Sequence, residues 1–236
     1  MDRHSGSLDP SAGANAPGQL KQAALRLFAD RGVNGVTVRE IAAAAGQKNH
    51  GGVAHYFGSK DALVRAIITD GAIALDELRN NALDALELRG GPRSLREIVD
   101  ILVMPATAMD ECYIRFITLL GTTSRELVLE AIEPTWNRGY GRCLDHLRLL
   151  MPKLLPALQN QRFVFMAAYV RAVLSARART AIDLKCDRSM WFDSYAVEHF
   201  AQTVVALLEA PLELCVEALA EIGRQQPLEE QRGPLG

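Results

Sequence analysis

Close-set cysteines, clustered acids, glycine-rich phosphate loops and long apolar runs are all missing from this sequence of 236 residues. Its four cysteines, Cys112, Cys143, Cys186 and Cys215, include no close pair. That spacing excludes a zinc knuckle or a small disulfide framework, and reduced, mostly buried thiols are expected. No apolar run approaches the roughly 20 residues that cross a bilayer. The opening MDRHSGSLDPSAGANAPG holds no apolar stretch of signal-peptide type. A cytoplasmic protein with no membrane partner is therefore expected. Without a phosphate loop or grouped acids, the best nucleophile pair is Cys143 with His146, three residues apart and unsupported, so no enzyme is expected. The histidines are scattered, and His50 and His55, five apart, lie off a common helical face. No metal and no cofactor is expected.

Aromatic residues are few, at 6% of the chain, and strict apolar alternation is scarce, which argues against sheets. Alanine and leucine are abundant, and helical apolar periodicity predicts an all-α fold. The net charge of −2 is unevenly divided. From Lys21 to Asp70 there are seven bases against four acids, so a mildly basic N-terminal module precedes an acidic body. Such asymmetry points toward a polyanion partner.

Read along the chain, residues 1–17 are expected to be a disordered tail. A first helix follows Pro17, with Leu20, Ala24, Leu27 and Phe28 on one face and Gly32 at its end. Thr37-Val38-Arg39-Glu40 has capping-box spacing and opens a second helix that Gly46 stops. A third short helix ends near Phe57, and Ser59 can cap a long fourth helix to about residue 88. The loop RGGPR marks a boundary, after which Ser94 to Glu97 repeats the capping-box pattern. Helix then continues through CYIRFITLLGT, with Pro134 placed to kink or restart it. Two long helices are predicted at about 161–182 and 190–212, then a short one at 213–224 and a flexible tail at 226–236.

The stretch QKNHGGVAHYFGSK contains adjacent glycines, two histidines, two lysines and no acid. Val38, Ile41, Ala42 and Ala45, followed by Val53 and Phe57, can hold the second and third helices together across a tight turn. This is helix-turn-helix spacing, in which the second helix of the pair enters the major groove. Lys48, Asn49 and His50 then fall at the groove-facing end, and Gly51 and Gly52 remove bulk where the helix meets DNA. Acids there would be repelled by phosphates.

With A24..LF28 and G32, T37V38R39EIA42AAAG46 and YF57GSK60DAL63 in place, residues 20–68 resemble the DNA-binding domain of the tetracycline repressor (TetR) family. One residue more than the commonest family pattern separates Gly46 from Phe57, and the tyrosine directly precedes that phenylalanine. The register of the recognition helix therefore stays open by one residue. The resemblance implies a bacterial regulator with a helix-turn-helix domain at 18–68 and a helical effector-binding and dimerisation domain at 94–225. It implies phosphate contacts from Thr37 and Arg39, groove-facing Lys48, Asn49, His50 and Gly51, and phosphate bonds from His55 or Tyr56 and from Lys60. It further implies a homodimer with its interface on the last two long helices, here Val170, Leu174, Phe200, Val204 and Leu208. Such a dimer would read a palindromic double-stranded DNA operator as a repressor and be released by a small-molecule effector.

For the effector, the bulky or amphipathic residues of the middle helices are the pocket candidates: Met104, Phe116, Trp136, Tyr140, His146, Phe165, Met166 and Tyr169. Arg115 and Arg171, inside apolar helices, could pair with an anionic ligand or with a nearby acid. Two alternatives compete with this function: a metal-sensing regulator without an organic ligand, and a helical protein-interaction module whose basic segment is incidental.

Overall fold

The computed structural model describes residues 16–47, 51–132, 134–181, 189–193 and 195–212, and among them every regular element is a helix. In chain order these are α1 (Ala16–Arg31), α2 (Val38–Ala44), α3 (Gly52–Phe57), α4 (Lys60–Glu87), α5 (Leu95–Ala108), α6 (Glu111–Thr123) and α7 (Arg125–Ala131). A 3₁₀ turn at Pro134–Asn137 precedes α8 (Arg138–Leu150), α9 (Pro156–Thr180), α10 (Ser189–Phe192) and α11 (Ala196–Glu209). The all-α expectation holds for these residues. The predicted helix at 213–224, the flexible tail, and Cys186 and Cys215 lie outside the described residues.

Two compact units emerge. One takes the described residues of Met1–Gly71 together with Arg115–Glu133, and the other takes Ala72–Ile114 and those after Pro134. This division differs from the sequence boundary near residue 90. Helix α4 contributes to both units, and the second half of α6 joins the N-terminal helices. There Phe116 stacks on Phe28 at 5.9 Å, Arg115 pairs with Asp30 at 2.8 Å, and Thr69 donates to the carbonyl of Ala131 at 3.1 Å. Apolar residues bury this first unit's interior: Leu20, Phe28, Val36, Ile41, Val53, Leu63, Ile68 and Phe116 are almost wholly inaccessible.

The second unit packs α5 against α8, α9 and α11. Its core takes Ile98, Val99 and Val103 from α5, Cys143 and Leu147 from α8, Phe163 and Met166 from α9, and Ala201, Val204 and Leu208 from α11. Both predicted capping boxes form: Thr37 with Glu40, and Ser94 with Glu97.

Several boundaries move, each for a local reason. Helix α1 starts at Ala16, inside the predicted tail, because Pro17 fits a first helical turn and Ala16 is buried. The helical run after Ser94 breaks at Met109–Asp110, where the Asp110 carboxylate accepts from the amides of Cys112 and Tyr113 and starts α6 anew. Pro134 does restart the helix, through the 3₁₀ turn. Helix α9 begins five residues before its expected start, with Pro156 in its first turn. The helix predicted from 190 to 212 is two pieces, α10 and α11, with a break that includes Asp193 and Tyr195.

Candidate nucleic-acid interface

The pairing of α2 with α3 is built from its ends. At the start of α2, the Thr37 hydroxyl accepts from the Glu40 amide at 3.3 Å, while the Glu40 carboxylate accepts from the Thr37 amide at 2.7 Å. At its end, Gly46 takes φ +68, a left-handed conformation that suits glycine. Its amide donates to Ala43 at 3.0 Å and that of Gln47 to Ala42 at 2.9 Å, the two bonds of a Schellman turn. The chain is thus turned tightly between α2 and α3, and Ile41, Ala42 and Val53 are buried. Both helices contact α1.

This leaves a defined outer surface. Thr37, Arg39, Gly51, His55 and Tyr56 are exposed, and the rings of His55 and Tyr56 meet edge-on at 4.7 Å. Arg39 forms no ion pair among the described residues. Arg31, in contrast, is held by Glu40 at 2.8 Å, and Lys21 is paired with Asp70. Lys48, Asn49 and His50 lie outside the described residues.

Lys60 is placed differently from a bare phosphate ligand. Its ammonium donates to the carbonyls of Val33 at 3.0 Å and Val36 at 3.1 Å, tying the α1–α2 connection to the start of α4. Two of its three donors are therefore used within the domain. The sequence offered no signal for this strut, because its acceptors are backbone groups about 25 residues away.

The pocket candidates occupy different settings. Phe116 belongs to the N-terminal unit, stacked on Phe28. Met104 and Phe165 are largely exposed, Met166 is buried, and Trp136 sits half-buried in the 3₁₀ turn. His146 bonds Glu87 at 2.8 Å, and the Tyr169 hydroxyl bonds that of Thr203 at 2.8 Å while its ring packs edge-on against Phe200. Tyr140 lies under the Arg79 guanidinium, 5.6 Å from ring centre to cation. Of the two arginines flagged in the sequence, Arg115 pairs with an acid, Asp30.

Leu174, Phe200, Val204 and Leu208 are buried within the single chain, and α11 packs on its own α5. Phe200, Val204 and Leu208 are buried because the apolar face of α11 is the one that covers α5, and Leu174 is buried on α9. Val170 is half-buried.

Sequence reading missed a polar cluster on the buried face of α4. Asp76 accepts from the Gly139 amide at 2.6 Å and from the Asn80 side chain at 2.8 Å. Arg79 is on the same face, and burial pulls its guanidinium below the usual arginine range. The signal was available: Asp76, Arg79, Leu83 and Leu86 share helical spacing, so two charged residues stand on an apolar stripe. Nearby Cys143 is fully buried, and that burial pushes its thiol up to about 11, which makes it a poor nucleophile and weakens the Cys143/His146 reading further. No group of three or more potential metal ligands occurs among the described residues, and none of their helices is long and apolar enough to cross a membrane.

Comparison with known proteins bears on these observations. The family of bacterial regulatory proteins named tetR matches residues 20–67. A comparison with curated proteins returns no match. Among solved structures, a chain from Shewanella sp. PV-4 assigned to the tetR family of transcription regulators aligns at TM-score 0.56 and 16% identity, over 80% of this chain and 96% of that one. The fatty acid degradation regulator FadR from Bacillus halodurans aligns at TM-score 0.51 and 17% identity, over 83% and 99%. A transcriptional regulator from Rhodococcus sp. Rha1 aligns at 0.50 and 18%, over 84% and 99%. At such identities the structural likenesses bear on fold alone, and they extend it across the helical body. The α2–α3 pair, with its capped and glycine-terminated turn, falls inside residues 20–67, the segment that matches the bacterial regulatory proteins of the tetR family.

Proposed function

We propose that the protein acts as a homodimer that binds a palindromic DNA operator, represses transcription from it, and is released by a small-molecule effector held in the helical body. The observation that carries the DNA-reading half is the exposed surface of α2 and α3, where Thr37, Arg39, His55 and Tyr56 project from a helix pair whose other face is buried. Thr37 and Arg39 take phosphate contacts at the start of α2. His55 and Tyr56 do so at the end of α3, and Lys48, Asn49, His50 and Gly51 meet the groove. Lys60 contributes its remaining donor to phosphate while bracing the domain.

For the dimer, the support comes from α9. Val164, Ala168 and Ala172 recur every four residues and are exposed, with the large Phe165 beside them. An apolar stripe of small residues suits close approach of a second copy, and a two-fold pair sets two recognition helices about one DNA turn apart. For release, α4 is one continuous helix with its start in the first unit and its remainder in the second. A ligand that favours one placement of the second half of α4 would bias the DNA-reading end by population shift.

Selection of bound duplexes from a random DNA library, at about physiological salt, tests the reading. A palindromic consensus is expected, with affinity falling steeply as salt rises. Absence of enrichment by folded protein would bring the interaction-module reading forward.

A further inference from the structure

We infer that Arg79 is the recognition point for an anionic effector, and that the effector class is an organic monocarboxylate with an apolar body. This rests on the effector-release reading above and names the chemistry of that site.

Arg79 is an expensive residue to keep where it stands. Its Nε is buried and bonds no acceptor, and its one hydrogen bond among the described residues is a long one, 3.5 Å from Nη2 to the Leu102 carbonyl. No carboxylate lies within ion-pairing distance among the described residues. A guanidinium has five donors in a planar fork, and in this half-buried one the Nε is sealed from solvent and left unbonded, which costs stability. Such a group is retained where something else supplies its counter-charge.

The surroundings specify that counter-charge. Asp76 is within electrostatic reach, but its two oxygens are occupied by the Gly139 amide and the Asn80 side chain. Tyr140, under the fork, feels the positive charge of both Arg79 and Arg171. Arg171 is exposed to solvent and the oxygens of Asp76 are taken, so the charge left at Arg79 is a single one, which a monoanion neutralises. The planar fork matches the two oxygens of a carboxylate.

The apolar body has a place along the same seam. Between α4 and α5 runs an open groove of about 280 Å³, lined by Ala82, Ala85, Leu86 and Ile101 together with the charged Arg89, Glu97 and Asp100. Ala82 is one helical turn from Arg79, and Ile101 adjoins the residue whose carbonyl Arg79 touches. The groove's acids are already engaged, Glu97 by the amides of Arg93 and Ser94 and Asp100 by Arg96. The carboxylate therefore seats at Arg79 and the hydrocarbon runs toward Leu86.

The test is calorimetric titration of the full chain, without DNA, with straight-chain monocarboxylates from butanoate to decanoate and with benzoate and phenylacetate, each beside its neutral amide. At least one carboxylate should bind, with its amide at least about tenfold weaker. Arg79→Met should lose binding by a similar factor while its melting temperature equals or exceeds that of the parent, because an unpaired buried charge has been removed. A carboxylate set that is silent throughout, amides that bind equally well, or a folded Arg79→Met that keeps its affinity would each overturn the inference. Should Arg79→Met not fold, Arg79→Lys keeps the charge, loses the fork, and should still weaken binding severalfold; unchanged affinity counts against the site. Operator release is measured separately. A carboxylate that binds without altering DNA affinity would leave the site standing and remove the effector-release reading, whereas release by neutral compounds alone would do the reverse.

Discussion

The two units of this chain are held together by different means. In the N-terminal unit the described interior is apolar throughout, and its polar groups work at the periphery as caps, struts and surface pairs. The second unit carries Asp76 and Gln159 wholly inside, with buried guanidinium nitrogens of Arg79 and Arg177. Gln159 is satisfied, donating to the Met151 carbonyl at 2.8 Å. Arg177 reaches the Thr107 carbonyl near the end of α5, where orphan carbonyls favour a cation. An apolar interior of rigid rotamers suits a reading head that must present one surface. A body with buried polar groups has interactions that a ligand can complete or displace.

The comparison breaks first if the apolar interior proves dispensable. Phe28 is fully buried and stacked on Phe116, so Phe28→Ala should cost about 3–5 kcal/mol and abolish DNA binding through unfolding of the first unit. Denaturant titration followed by DNA-binding assay checks this. A stable, DNA-competent variant would mean that the packing between these helices is not what holds the reading head.

Gly139→Ala probes the polar interior of the second unit. A Cβ there would lie 2.9 Å from the Arg79 Cβ and 3.1 Å from the Asp76 carboxylate, contacts that force α8 away from α4. Overpacking of this kind costs about 1–3 kcal/mol. It should also disturb the Asp76–Gly139 bond, so a lowered melting temperature is expected. Unchanged melting would show that the two helices have room to separate and that the polar cluster is loosely held.

Much of the N-terminal unit was readable because its signals are local. Thr37 with Glu40, Gly32 and Gly46 mark starts and stops within four residues of the bonds they make. The body resisted for two reasons. Asp110 as a helix start is one residue among many acids, and the break between α10 and α11 has neither glycine nor proline in MWFDSYAVEHF to announce it. The stripe Phe200, Val204 and Leu208 was legible as apolar, but periodicity cannot say whether such a face meets its own chain or another copy. Lys60 and Arg79 depend on partners distant in sequence, which no local pattern encodes.

A smaller effect sharpens the account of the caps. Thr37→Ala should destabilise the first unit by about 1 kcal/mol. The Thr37 hydroxyl, then its amide, then Arg31 pull the Glu40 carboxyl from 4.5 down to about 2. Because the folded value is the lower one, this contribution is present above about pH 4.5 and fades as pH falls toward 2. Glu87 and Glu198 are also lowered, by His146 and Arg96 respectively, so the wild-type acid profile is composite. The difference between the wild type and Glu40→Gln isolates the cap, and its stability gap should narrow across that window. A gap independent of pH would mean that Glu40 acts only as a spacer.

The smallest change separates folding from reading at the start of α3. An alanine Cβ at Gly52 would meet Leu20 at 3.4 Å and Gln47 at 3.9 Å, ordinary contacts, and the backbone there is not left-handed. Folding therefore does not require glycine, and Gly52→Ala should be neutral or stabilising by about 0.5 kcal/mol through reduced backbone entropy of the unfolded chain. If the bare backbone serves close approach to DNA, operator affinity should nevertheless fall severalfold while melting temperature holds or rises. Equal affinity in a variant of equal or greater stability would remove Gly52 from the interface and leave the proposed contacts of Thr37, Arg39, Gly51, His55, Tyr56 and Lys60 in place.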